Sequence, residues 1–197
     1  MSSPKPIELH LCAIDVEMAD AWSTCFGSAP NVFIHQQDIL TRTADAILSP
    51  ANSFGFMDGG IDLLYSNFFG WEIQDRLQKS IRDEHAGEVP IGCAVVVPTD
   101  HDRIPLLVSA PTMRVPGDIS DTVNVYLAFR AALLVVRSST RIKSLLSPAL
   151  GTGIGGMSTR RAAKQMHAAY VDVVLGEHGW RATARGVLTH HAKLFAD

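Results

Sequence analysis

Ile47-Leu-Ser-Pro-Ala-Asn-Ser-Phe-Gly-Phe-Met-Asp-Gly-Gly-Ile-Asp62 leads from an apolar strand, through a glycine-bearing loop, into the first turn of a helix. The same order returns at Leu146-Ser-Pro-Ala-Leu-Gly-Thr-Gly-Ile-Gly-Gly-Met157, with the same Ser-Pro-Ala lead-in. Glycine at such a corner permits positive φ and lets the backbone approach a ligand closely. The exposed N–H groups and the helix start then favour an anion, typically a phosphate. Two such loops at neighbouring strand ends would clamp both halves of a diphosphate. Taken singly, each is also consistent with glycines that only make a tight turn.

Outward from these loops the chain alternates strand and helix. Strands are expected at Pro6–Ile14, Asn31–His35, Ala44–Ser49, Gly92–Val97, Leu106–Ala110 and Ile142–Leu146. Helices are expected at Val16–Phe26, Gly59–Phe69 and Glu72–Glu84, the last with Ile73, Leu77 and Ile81 at helical spacing. A long helix is expected over Ser120–Arg137, capped by Ser120 or Asp121, and another over Thr159–Leu175. Arg181–Asp197 reads as an ambiguous segment with room for a final helix. Several strands are unbroken apolar runs, which a parallel or mixed sheet covered on both faces requires. The class is therefore α/β, a three-layer α/β/α fold with a mixed central sheet. Ligands of such folds bind beyond the carboxyl ends of the strands.

The composition excludes several alternatives. The chain has 197 residues, which fits a single domain over 1–197 with a core of about 6–176 and a C-terminal extension at 177–197. With 47% hydrophobic residues and a net charge of −3 it cannot be a disordered chain. Cys12, Cys25 and Cys93 are too few for a disulfide scaffold and read as buried thiols of a reducing compartment. No apolar run approaches the roughly 18 residues of a membrane span, and Met1-Ser-Ser-Pro-Lys-Pro lacks the apolar stretch of a secretory signal. A cytoplasmic protein without a membrane partner is expected. The slightly acidic balance argues against bulk nucleic-acid binding. Oligomeric state is left open.

Among single residues, Asn52 follows a strand directly and suits a sugar hydroxyl or a water. Asp62 falls in the first turn of a helix. It either compensates that helix end or faces the ligand, where like-charge repulsion from a diphosphate would raise its pKa and suit it to position or deprotonate water. Arg160 and Arg161 either reach a phosphate or form a solvated face. Cys93 is expected in the core, His190-His191 on a solvated tail, and Trp22, Trp71 and Trp180 in packing roles. No His pair has metal-ligand spacing, so neither a metal nor a cofactor is expected. Gly151, Gly153 and Gly156 also match G-x-G-x-x-G, with Glu177 following at 21 residues. That alternative is an NAD-type enzyme, which needs a strand after the loop's helix with the acidic residue at its end.

The combination resembles a macro domain, the ADP-ribose-binding fold. Asp38-Ile39, then Ser49-Pro-Ala-Asn52 running into Gly59-Gly-Ile-Asp62, then Pro148-Ala-Leu-Gly-Thr-Gly-Ile154 carry the resemblance across roughly Pro6–Leu175. It implies that Asp38 accepts from the adenine amine and Ile39 packs beside the base. It implies that Asn52 holds the distal ribose, that Ala51 is a ligand-binding residue, and that Gly59, Gly60 and Ile61 form the first phosphate loop. Gly151, Thr152, Gly153, Ile154, Gly155 and Gly156 would form the second. Ser109–Arg114 would flank the distal ribose. Asn52 and Asp62 would be the catalytic pair of a hydrolase acting on ADP-ribose conjugates, its partner an ADP-ribosylated substrate or free ADP-ribose. The rival within the resemblance is a non-catalytic ADP-ribose reader. Phe54-Gly-Phe-Met-Asp58 adds bulk and charge where relatives are small and glycine-rich, which implies altered selectivity.

Overall fold

The computed structural model describes residues 7–196. Residues 1–6, which include Pro6 and the segment read for a secretory signal, lie outside the described residues, as does Asp197. The elements are β1 (Glu8–Ala13), α1 (Val16–Phe26), β2 (Val32–Gln36), β3 (Ala46–Ser49), α2 (Gly60–Phe69), α3 (Glu72–His85), β4 (Val95–Pro98), β5 (Leu106–Ser109), α4 (Asn124–Ser138), β6 (Ser144–Ser147), α5 (Thr159–Tyr170) and α6 (Ala184–Lys193). A π turn over Val171–Leu175 prolongs α5.

The strands form one sheet in the order β2-β1-β6-β3-β5-β4. All pairs are parallel except β4–β5, so the sheet is mixed. Strand alternation explains the three layers. Leu9, Leu11, Ala46, Leu48, Leu106, Val108 and Leu145 point into one core with α1, α4 and α5. Ile47, Leu107 and Leu146 point the other way, into a second core with Tyr65, Ile73, Leu77 and Ile81 of α2 and α3. Each central strand is therefore buried on both faces, as its unbroken apolar sequence requires.

Two expectations are corrected. The strand proposed from Gly92 starts only at Val95, because Pro90–Cys93 is a turn closed by the Cys93 N–H on the Pro90 carbonyl. Cys93 is consequently exposed rather than in the core. The helix proposed from Ser120 starts at Asn124. Ser120 and Asp121 lie instead in a turn before the helix, where Asp118 accepts from the Ser120 N–H and Thr122 accepts from the Asn124 N–H. Val123 occupies the N-cap position and offers no side-chain bond.

Candidate functional site

The C-terminal ends of β3, β5 and β6 are adjacent in the sheet, so their loops converge. They enclose a cleft of about 290 Å³ lined by Pro50–Asn52, Phe56, Asp58–Asp62, Thr112, Met113, Pro116, Ala149 and Gly151–Gly155. Both glycine loops thus face one cavity. Of the residues expected there, Ala51, Asn52, Gly59, Gly60, Ile61, Asp62, Gly151, Thr152, Gly153, Ile154 and Gly155 line it, whereas Gly156, Asp38 and Ile39 do not. Ile39 is buried in the second core, and the exposed Asp38 accepts from the Leu40 N–H at 2.9 Å.

The first loop delivers a helix end to the cleft. The N-cap of α2 is Gly59, which has no side chain to satisfy the first-turn N–H groups. Those groups remain for a ligand, and the helix dipole adds positive potential. Among the described residues no Lys or Arg lines the cleft. Anion recognition here rests on the backbone. The second loop is shaped by Gly151, whose φ is +73° and whose position leaves no room for a side chain: a Cβ would lie 2.7 Å from Val125 Cγ2. The Met157 N–H closes the loop onto the Gly151 carbonyl at 3.0 Å.

Asp62 sits in the first turn of α2 and lines the cleft, yet only 7% of it is exposed. Ser49 Oγ donates to Asp62 Oδ1 at 2.6 Å. Burial pushes the carboxyl up to about 7, against which the Ser49 hydrogen bond pulls down. The raised value therefore exists before any diphosphate arrives, from desolvation rather than like charge. At neutral pH the group exchanges protons readily, as a general base or acid should.

Asn52 has a role in its own loop that was not expected. Its Oδ1 accepts from the Phe54 and Phe56 N–H groups at 3.1 and 3.3 Å, and its Nδ2 donates to the Phe56 carbonyl at 2.8 Å. The side chain closes the 52–56 loop and retains one amide N–H for a ligand. Its backbone pairs with Met113, which ties the first loop to the segment after β5. Phe56, held by these bonds, is 53% exposed at the rim, and Ile154 of the second loop is 60% exposed. Met113 belongs to the Ser109–Arg114 segment and Phe56 to the Phe54–Asp58 segment that the sequence placed at this end of the ligand, whereas Pro116 as a lining residue was not expected. Met113 is reached by the strand-end rule, and Phe56 by its bulk in a loop that is small and glycine-rich in relatives.

Several candidates lie elsewhere. Arg114 pairs with Glu88 through two bonds of 2.6 and 2.9 Å and lies over the Phe54 ring. Arg160 lines a groove between α1 and α5 with Glu17 and Asp20. Arg161 Nη1 donates to the Ser120 carbonyl. His190 is not on a solvated tail: its ring stacks on Trp180 at 3.8 Å with an interplanar angle of 7°. Trp22 is fully buried and donates to Met166 Sδ, whereas Trp71 is exposed rather than packed. Among the described residues no group of three or more His, Cys, Asp or Glu is placed to hold a metal. None of the described helices is long and apolar enough to cross a membrane.

The dinucleotide alternative loses its geometry. Past α5 the chain continues as the π turn to Leu175, then Gly176 in the left-handed region, and no strand follows among the described residues. Glu177 is exposed.

Comparison with known proteins agrees with this geometry. The family model described as Macro domain matches residues 48–166, which include the strand end before the first loop, both glycine loops and most of α5. An uncharacterized protein of Aeropyrum pernix is 30% identical over 161 residues, 76% of this chain and 82% of its own length. One of Aquifex aeolicus is 33% identical over 124 residues, 62% of this chain and 70% of its own. Among solved structures, the macrodomain of Mycobacterium tuberculosis DarG is 25% identical with a TM-score of 0.59, covering 68% of this chain and 86% of that one. The Oceanobacillus iheyensis macrodomain with ADP has a TM-score of 0.62, covers 80% of this chain and 86% of its own, and at 18% identity is a likeness of fold.

Proposed function

The chain belongs to the macro-domain family, and from that membership and the cleft together we propose that it binds ADP-ribose and hydrolyses an ADP-ribose conjugate. The observation that carries the reading is Asp62, a buried carboxyl whose pKa is raised to about 7, beside an uncapped helix end. The likeness to a macrodomain that holds ADP supports the choice of ligand, as does a point mutant of that macrodomain with ADPR.

In this reading the diphosphate lies against the N–H groups of Gly59–Ile61 and Thr152–Gly155. The sheet order then separates the two sugars. One nucleoside end extends toward β1 and β2. The terminal ribose extends toward Asn52, Phe56 and Met113 on the β5 flank. In O-acetyl-ADP-ribose water attacks the acetyl carbonyl carbon, and the ester C–O bond breaks with its electron pair on the ribose oxygen; in a conjugate linked at C1″, water attacks C1″ of that ribose. The new bond joins water oxygen to C1″, and the bond from C1″ to the conjugated group breaks, with its electron pair leaving on that group. Asp62, ionised, takes the water proton and returns it to the leaving group. Preformed N–H donors on the diphosphate need no reorganisation during the step, which is the main source of electrostatic catalysis. Asn52 contributes by holding the 52–56 loop at the ribose end.

The test is calorimetric titration with ADP-ribose, NAD and AMP, followed by turnover of mono-ADP-ribosylated protein and O-acetyl-ADP-ribose. Micromolar ADP-ribose binding with release of ADP-ribose from a conjugate, lost in Asp62→Asn, is the expected result. Binding without turnover leaves a reader module. Binding of NAD but not ADP-ribose overturns the proposal.

A further inference from the structure

We propose that Gln165 is a positioning residue for the second glycine loop, and that the C-terminal segment carrying Leu194 holds it in place. The inference rests on the functional reading only for its ligand. The mechanical part stands on contacts remote from the cleft.

The N-terminus of α4 lacks a side-chain cap of its own. Gln165, on α5 and fully buried, supplies one from a neighbouring helix: its Oε1 accepts from the Tyr126 N–H at 3.0 Å. Its Nε2 donates to two carbonyls, Thr122 at 2.8 Å and Leu194 at 3.0 Å. One amide therefore joins α5, the turn before α4 and the end of the chain, with both amide hydrogens and the carbonyl oxygen used. In a dry interior such a group specifies geometry, because any partner that moves leaves an unpaired polar atom.

The turn that Gln165 fixes is the one against which the glycine loop rests. The Thr122 N–H donates to the Ile119 carbonyl, and the Ile119 N–H donates to the Gly155 carbonyl at 2.9 Å. Ile119 packs so closely that a Cβ on Gly155 would lie 2.7 Å from it. The path Leu194–Gln165–Thr122–Ile119–Gly155 is thus a chain of hydrogen bonds and hard contacts. Its far end is unusual. No residue within α6 itself is buried, yet Leu194, just past it, is buried in the core. Asp172 ties α4 to the turn before α6, accepting from Tyr126 Oη at 2.6 Å and Trp180 Nε1 at 2.9 Å, and His190 of α6 stacks on that Trp180. A helix with no fully buried residue, followed by one side chain and one carbonyl delivered to the core, acts as a brace. A loop already held in its binding conformation loses less entropy on meeting a diphosphate.

The experiment compares Gln165→Met and Leu194→Ala with wild type in the full chain. ADP-ribose and adenosine affinities are read by calorimetry, and backbone exchange at Gly155–Met157 by hydrogen-exchange mass spectrometry. The expected result is roughly a tenfold loss of ADP-ribose affinity with adenosine affinity unchanged, and faster exchange confined to the second loop and residues 118–123. Equal loss of both ligands means general damage and overturns the proposal. Unchanged exchange at Gly155–Met157 in both variants overturns it as well. If wild type binds no ADP-ribose, the functional reading fails, and the exchange measurement in the free protein still decides the brace.

Discussion

Asp62→Asn should make the protein more stable while removing its turnover, and the gain should grow with pH. The carboxyl is raised from an ordinary 3.8 to about 7 by burial. The folded state therefore binds more protons than the unfolded state between those two values. Stability is fully present below about pH 4 and is lost as pH rises toward 7. A tenfold change in an acid's dissociation constant corresponds to about 1.4 kcal/mol, so the raised pKa costs the fold about 4 kcal/mol at pH 8, where the buried group is ionised, and about 2 kcal/mol at pH 5, where it is held protonated while the unfolded carboxyl ionises. Asparagine has nearly the same shape, and its Oδ1 still accepts from Ser49 Oγ. It does not titrate, so its own burial cost is the same at both pH values and cancels in the comparison. The stability gain of the variant should thus be about 2 kcal/mol larger at pH 8 than at pH 5, or roughly 4–8 °C in Tm for a chain of this size. Thermal denaturation of the two proteins across pH 5–8 measures it. A gain that is independent of pH, or larger at pH 5, refutes the assignment of a buried, high-pKa carboxyl at this position.

Asn52→Ala removes the three bonds that close the 52–56 loop; it should cost about 1–2 kcal/mol by denaturant titration and expose Phe56 to faster proteolysis. Gly151→Ala meets Val125 at 2.7 Å from a backbone at φ +73° and should lose about 1–3 kcal/mol together with ADP-ribose binding. Gly153→Ala, where a Cβ meets nothing within 4 Å, should change stability by less than about 0.5 kcal/mol. Binding of a diphosphate beside Asp62 should raise that carboxyl further, so ADP-ribose should bind with proton uptake near pH 7; titrations in buffers of different ionisation enthalpy detect it as a buffer-dependent heat.

The parts of this molecule legible in sequence are those set by local rules. Doubly buried strands gave unbroken apolar runs, and the two glycine corners followed strands and opened helices. The start of α4 was misplaced because Ser120 and Asp121 are good caps in general, whereas here the turn before the helix takes the local bonds and Gln165, some 40 residues on, does the capping. Cys93 read as core because Gly92–Val97 is apolar, yet the turn at Pro90 ends the strand early. His190 read as a tail residue because its partner Trp180 is found only in three dimensions. The Ser49–Asp62 bond spans 13 residues and follows no helix or strand period. Asn52 was read for a sugar hydroxyl or a water; the clasp it forms on its own loop through Oδ1 and one amide N–H follows no sequence period, and the other N–H stays available to a ligand.

The charge of the cleft makes these details cohere. A diphosphate brings about two negative charges into a cavity that holds Asp58 and Asp62 and no Lys or Arg among the described residues. The uncapped start of α2 offsets only part of this, since a helix end contributes about half a charge and typically about 0.3–1 kcal/mol per interaction. The same end should lower the Asp62 pKa, yet burial dominates and the carboxyl rises to about 7. That outcome suits the ligand. Near neutral pH Asp62 can take a proton as the diphosphate enters, so the cavity does not confront it with a fixed buried anion. A carboxyl held at its ordinary pKa would stay ionised and repel the ligand. A buried acid of intermediate pKa admits the anion in its neutral form, and the fraction that stays ionised, which grows as pH rises above 7, supplies the base for water. The backbone N–H groups, which carry no net charge, are then left to provide the specificity for phosphate.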